Sequence, residues 1–406
     1  MADHQGVREF AVAASAGIAI AFLCVIVLLP CLLLIWPRGK ARPFPIVDLP
    51  VVRYGRPRRT FAVFGLVIVL AIVGLSRIGV DTHVLEELDK DGKVVQDFTF
   101  YENHFQGLLN LEVHLRGDLK SMEAFRAIEK LQVGVAQAPD VNSSESYIDW
   151  LREIVNQQGE ISDEQILLAV IFLSAAGDHL PRHVINPDFD QGRIRFYLRG
   201  AGTKRFLEFK ETIESEARKF PPGLTAEVSS YAEMAHESTR LVVVTMLQSL
   251  IITLVVITVM LSLMYRSWHL GLLAILPNSL PILVALGVTG WLGIHLRIGI
   301  VMIYSVGIGL AVDDTIHMLS RYRSEKLRNP QLSPRENLQE TLRTTGTALI
   351  ITSIILVAGA LCYLPATLQS MRDVGLLLTA IVLTALFSDL YLLPLLVEHS
   401  DQPSED

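Results

Sequence analysis

Asp313 and Asp314 stand side by side in an apolar segment, IGIVMIYSVGIGLAVDDTIHMLSRYR, in which every residue from Ile298 to Val312 is apolar, small or a hydroxyl carrier. A carboxylate at the centre of a membrane-spanning helix costs about 2.5–3.5 kcal/mol on insertion scales. Two acids in one such segment imply a compensating role, and the chemistry that fits is ion movement, most often proton relay. Helix neighbours point about 100° apart, so the pair cannot share one direction. Ser305, Gly309, Asp313 and His317 fall on one stripe at i, i+4 spacing. Gly307, Ala311 and Thr315 fall on another, small enough for close helix packing. The first stripe favours Asp313 as the exchanging acid, because it also carries a serine and a histidine. His317 either extends the proton path or serves as a polar residue at the membrane interface, one turn before Arg321.

Other polar residues lie in apolar stretches nearby. Ser305, Thr352, Ser353 and Asp389 are candidates to support a relay. Hydroxyls in membrane helices usually bond their own backbone, and Asp389, beside Ser388, reads mainly as packing. Pro277 and Pro281 flank Asn278 and free backbone carbonyls, which gives either a hinge or a simple kink. Gly307 and Gly309 permit close approach of a neighbouring helix.

The elements that must position these residues are membrane spans. The chain of 406 residues is 51% hydrophobic and 19% charged, with a net charge of -7, and its mean hydropathy is +0.41. That composition fits an integral membrane protein with a water-exposed insert. Seven stretches are long enough to cross a bilayer, at 11–36, 60–79, 241–264, 270–292, 298–318, 344–365 and 373–397. The first is too long, and its N-terminal flank too poor in basic residues, for a cleaved signal peptide. Lysine and arginine crowd residues 37–59 and 321–343, while the opposite short segments hold only Arg8, Arg297 and Arg372. The positive-inside rule then places the C-terminus, with its acidic tail 398–406, in the cytoplasm, and the N-terminus outside.

Residues 80–240 form one external domain. Its pattern predicts a strand at 108–117, a helix at 121–137, a strand at 141–148, an inserted helix at 163–176, a strand at 192–200, a helix at 203–219 and a strand at 224–232. Without the insert the order is β-α-β-β-α-β, a ferredoxin-like split unit. The fold class is therefore a polytopic α-helical membrane protein with an external α+β domain.

Several classes of chemistry have no support. There is no G-x-x-x-x-G-K-[ST] loop and no H-E-x-x-H, so neither ATP-driven transport nor zinc proteolysis is indicated, and nothing argues for an enzyme or for nucleic-acid binding. Cys24, Cys31 and Cys362 lie in apolar spans without metal-like spacing. His83, Glu86, Glu87, Asp89 and Asp91 read as a solvated linker, and Asp178, His179 and His183 as a loop. No metal and no cofactor is expected, the driving force being a proton gradient.

Four passages carry a family resemblance: YRSWHLGLLAILPNSLPILVALGVTGWLG (265–293), GIGLAVDDTIHMLSRYRSE (307–325), TTGTALIITSIILVAGA (344–360) and SDLYLLPLLV (388–397). In order and spacing they resemble the RND superfamily of exporters, in its MMPL-like branch of lipid and hydrophobe exporters. The resemblance implies that one or both of Asp313 and Asp314 is the relay group. It also implies residence in a bacterial inner membrane with a periplasmic domain, and proton-driven export of a hydrophobic or lipid-like substrate. The departure is size, since such exporters have two similar halves. Here one C-terminal half follows a single span, 1–36, that resembles the last span of a missing first half. VIVLLPCLLLIW (25–36) echoes SDLYLLPLLVEH (388–399), with Pro30 over Pro394. The size implies a split gene product, a fragment or a true half, with a complementary half or further copies of the chain as partner beside membrane lipids. Two other classes remain open: a lipid-sensing or scaffold module without transport, and a proton-driven aid to protein secretion of the SecDF type.

Overall fold

The computed structural model describes residues 5–35, 57–79, 88, 92–105, 109–155, 162–175, 183–199, 203–229 and 231–401. Most of the basic loop 37–59, the acidic residues from His83 to Asp91, and Asp178 and His179 lie outside them. The chain forms two compact units, Met1–Val80 with Thr239–Asp406, and Asp81–Ser238.

The first unit begins with α1 (Gln5–Ile35) and α2 (Pro57–Leu75). The second unit then contributes α3 (Lys93–His104), β1 (Leu109–Arg116), α4 (Met122–Ala136), β2 (Val141–Glu145), α5 (Tyr147–Val155), α6 (Asp163–Ala175), β3 (Gln191–Leu198), α7 (Thr203–Ala217) and β4 (Thr225–Ser229). Its sheet runs β2-β3-β1-β4 with every neighbouring pair antiparallel. That is the strand order of a split β-α-β-β-α-β unit, with α5 and α6 as the insert. Alternation places Leu111, Val113 and Leu115 of β1 and Ile194, Phe196 and Leu198 of β3 on one buried face. α4 brings Phe125, Ile128, Leu131 and Val135 to the same core, and α7 brings Phe206 and Ile213.

The third predicted element, 141–148, is cut short as a strand. Ser146 and Asp149 end it by capping α5: the Ser146 amide donates to Asp149 Oδ2 at 2.7 Å, and Ser146 Oγ accepts from the Ile148 amide at 3.1 Å. Tyr147 and Ile148 thereby turn into the core instead of extending the sheet. The short helix α3 has no counterpart in the sequence expectation.

The chain returns to the first unit through α8 (Tyr231–Tyr265). It continues with α9 (Trp268–Leu273), α10 (Ile275–Leu292), α11 (Ile298–Arg328), α12 (Pro334–Thr341), α13 (Thr347–Leu361), α14 (Gln369–Phe387) and α15 (Leu393–Asp401). Among the described residues seven segments are long and apolar enough to cross a membrane, and each overlaps one of the expected spans. The fourth is two helices that part at Ala274. Pro277, in the first turn of α10, would clash with the Leu273 carbonyl in an unbroken helix. Two π-helical turns interrupt the last two spans, Leu342–Gly346 between α12 and α13 and Ser388–Leu392 between α14 and α15. Pro394 follows the second turn and has no N–H to offer the regular ladder. Such turns are frequent at functional sites.

α2 and α10 meet backbone to backbone. A Cβ on Gly290 would lie 1.8 Å from the Gly74 carbonyl oxygen, and one on Gly287 would lie 2.6 Å from Ala71 Cα. Only hydrogen fits between the two helices there. Trp291 Nε1 donates to the Leu70 carbonyl at 2.9 Å, and the Arg77 guanidinium covers the Trp291 ring at 4.0 Å.

Candidate functional site

α11 is the axis of the site, because its two sides differ. The apolar core of the first unit falls into two blocks: one includes Ile282, Ile308 and Val312, the other Ala274, Met318 and Leu319. Along α10 and α11 the residues between these blocks include Asn278 and Thr315, and both are buried.

On one side of α11 lies a cavity of about 430 Å³. Asp313, Asp314, His317 and Arg321 line it from α11, Thr344 and Thr345 from the first π turn, and Ala348, Leu349, Thr352 and Leu356 from α13. His317 Nε2 lies 3.6 Å from Asp313 Oδ1, and both side chains are largely exposed, 64% and 71%. Asp314 is partly buried on the cavity wall. The stripe argument favoured Asp313; the more buried member of the pair is Asp314. Arg321 is tied to Glu325 at 2.7 Å.

On the other side Thr315 is fully buried. Its Oγ1 lies 3.0 Å from Asn278 Oδ1 on α10 and 2.7 Å from Asp389 Oδ1 in the second π turn. Asn278 Nδ2 donates to the Ala274 carbonyl at 2.8 Å. Asp389 is 1% exposed and has no ion-pair partner among the described residues.

The remaining candidates separate by environment. Ser305 and Gly309 are exposed on the Asp313 stripe, and a Cβ at Gly309 would meet nothing within 4 Å. Gly307 is buried, and a Cβ there would lie 2.7 Å from Ile381 Cδ1 of α14. Thr352 bonds the carbonyls of Ala348 and Leu349 on its own helix while lining the cavity. Ser353, buried on α13, has no hydrogen-bond partner among the described residues, and neither has the buried Ser388 hydroxyl. Pro277 and Pro281 are both buried in α10. Thus Asp313, Asp314, His317 and Thr352 share the cavity, whereas Asp389 belongs to the buried cluster behind it.

Thr315 and Asn278 did not stand out as site residues in the sequence. Thr315 sits in a stripe of small residues and Asn278 sits between prolines, and each position has a packing explanation. The available signal was that each is a polar side chain within an apolar span. Among the described residues no group of three His, Cys, Asp or Glu side chains could hold a metal ion. His183 instead lies 3.0 Å from Glu145.

These features define a polytopic membrane protein whose acidic helix is flanked by a cavity on one side and a buried polar cluster on the other. The family model of MMPL matches residues 185–399, more than half of the chain, and the chain belongs to the MMPL family. The match contains α10, α11 and both π turns, hence every residue of the two clusters. A protein of Methanocaldococcus jannaschii, named only as a membrane protein, is 20% identical over 325 residues, which cover 76% of this chain and 82% of that one.

Proposed function

We propose that the protein couples proton movement to export of a hydrophobic or lipid-like substrate, with Asp314 as the exchanging carboxylate. The observation that carries this reading is the placement of Asp314 on the wall of a cavity within a membrane-spanning unit, with Asp313, His317 and three threonines around the same space. A relay acid needs partial shelter from water and a route for protons, and a partly buried Asp314 at an open cavity supports that reading. Asp313 and His317 form the polar rim through which protons arrive. The π turn that presents Thr344 and Thr345 is the element placed to respond.

The membrane is the bacterial inner membrane, with residues 81–238 on the periplasmic side and the C-terminus in the cytoplasm. The positive-inside argument supports this orientation. An exposed Asp313–His317 pair cannot face lipid tails. A second copy of the chain or a complementary half therefore covers that stripe, with exposed Ser305 and Gly309 allowing close approach.

The test uses the full chain in proteoliposomes with an imposed pH gradient, an internal pH dye and a panel of fluorescent hydrophobic and lipid-like probes. Wild-type protein is expected to move a probe and protons together, and Asp314→Asn to lose both at unchanged membrane abundance. The reading fails if Asp314→Asn protein moves the probe as fast as wild type.

A further inference from the structure

The buried cluster behind the cavity contains a hydrogen-bonding problem with one solution. Thr315 has a single hydroxyl proton and two oxygen neighbours, Asn278 Oδ1 at 3.0 Å and Asp389 Oδ1 at 2.7 Å. The orientation of Asn278 is fixed, because its Nδ2 donates to the Ala274 carbonyl at 2.8 Å. Turning the amide over would set two acceptors against each other. Asn278 therefore presents an acceptor to Thr315. If Asp389 were ionised it would be an acceptor too, and one proton cannot serve both. One buried oxygen would then be left without a donor, with no cation among the described residues paired to it.

We infer that Asp389 carries a proton and donates it as a hydrogen bond to Thr315, which in turn donates to Asn278. The chain then runs in one direction, carboxyl O–H to hydroxyl, hydroxyl O–H to amide oxygen, amide N–H to the Ala274 carbonyl. Every contact has one donor and one acceptor, and 2.7 Å suits an O–H···O bond. The chain pins α10, α11 and the last span together at the level of Asp314. Among the described residues no positive charge lies within ion-pairing distance of Asp389. α10 has no charged residue, α14 holds Arg372 and Asp373 only at its far end, and α2 has Arg58 and Arg59 in its exposed first turn. The acid on α11 that faces the same region is Asp314, of like sign.

Asp389 is thus a positioning residue, permanently neutral, and not a second exchanging site. This inference goes beyond the transport reading and does not depend on it, since its readouts involve no transport. The experiment is infrared spectroscopy of the full chain in lipid together with thermal unfolding of Asp389→Asn, Asp389→Ala and Thr315→Val. A protonated-carboxyl band that persists from mildly acidic to mildly alkaline buffer, and that Asp389→Asn removes, is expected. Asp389→Asn keeps a donor in nearly the same shape and should melt near wild type. Asp389→Ala and Thr315→Val should lower the midpoint by several degrees. Absence of that band, its loss as the buffer becomes alkaline, or an Asp389→Asn melt as low as that of Asp389→Ala would overturn the inference.

Discussion

Carboxylates are held in opposite ways in the two units of this protein. In the unit Asp81–Ser238 they are matched to arginines. Glu112 meets Arg193 at 3.1 Å and Arg195 at 3.0 Å, Glu129 meets Arg152, and Asp140 meets Arg205. Burial alone would raise the Glu112 carboxyl, but hydrogen bonds and charge from Arg195 and Arg193 outweigh it and hold the group below the usual range. In the membrane unit Asp314 has no ion-pair partner among the described residues, Asp313 has only His317, and Asp389 has a threonine. The arginine–carboxylate pairs of this unit, Arg297–Asp373 at 3.7 Å, Arg321–Glu325 at 2.7 Å and Arg343–Glu340 at 3.1 Å, involve none of these three acids. An acid paired with arginine is a fixed charge that ties strands together. An acid without such a partner is free to change state or to keep a proton.

The strongest way to break this contrast is to remove the acid proposed to exchange protons. Asp314→Asn is expected to abolish gradient-driven proton and probe flux, whereas Asp313→Asn, on the exposed rim, should reduce it only in part. Equal losses would erase the distinction between the partly buried and the exposed member of the pair. Next in size is the helix contact that frames the site. Gly290→Val has no room beside the Gly74 carbonyl, so folded yield should fall severely, as read by size-exclusion chromatography in detergent. A well-folded Gly290→Val protein would mean that α2 can leave α10.

Smaller effects test the fixed charges. Because the folded value of Glu112 lies below its unfolded one, its stabilisation is complete above the ordinary carboxylate range and is lost as pH falls through the folded value. Arg195→Ala should cost about 1 kcal/mol near neutral pH, the scale of a partly exposed ion pair. It should also flatten the acid limb of stability, measured by thermal melts of the full chain at successive pH values. An unchanged acid limb would show that Glu112 is not a fixed charge of this kind. An effect of the same size is expected for Trp291→Phe, which gives up one hydrogen bond to the Leu70 carbonyl, about 1 kcal/mol, read by thermal melts of the full chain.

The spans were legible in the sequence because length and apolarity alone define them. The sheet was legible because GRIRFYLRG alternates and its buried residues are those the alternation selects. The end of β2 was not, since it depends on Ser146 and Asp149 capping the next helix. The stripe of Ser305, Gly309, Asp313 and His317 followed from helical spacing, but spacing cannot say which side of a helix meets a cavity. Thr315 lies 37 residues from Asn278 and 74 from Asp389. A contact across such separations exists only once α10, α11 and the last span have packed, and no local pattern announces it.

The glycine contact between α2 and α10 has a mechanical meaning. With no side chains between them at Gly74, Gly287 and Gly290, the two helices have no cushion to slide on, so a displacement of one is a displacement of both. α10 carries Asn278, the end of the chain that starts at Asp389. The polypeptide leaves α2 at Leu75 and reaches the second unit at Asp81. α2 is thus anchored in its last turn, at the very end from which the chain runs on toward the second unit, so a pull on that connection is taken up at the glycine contact itself.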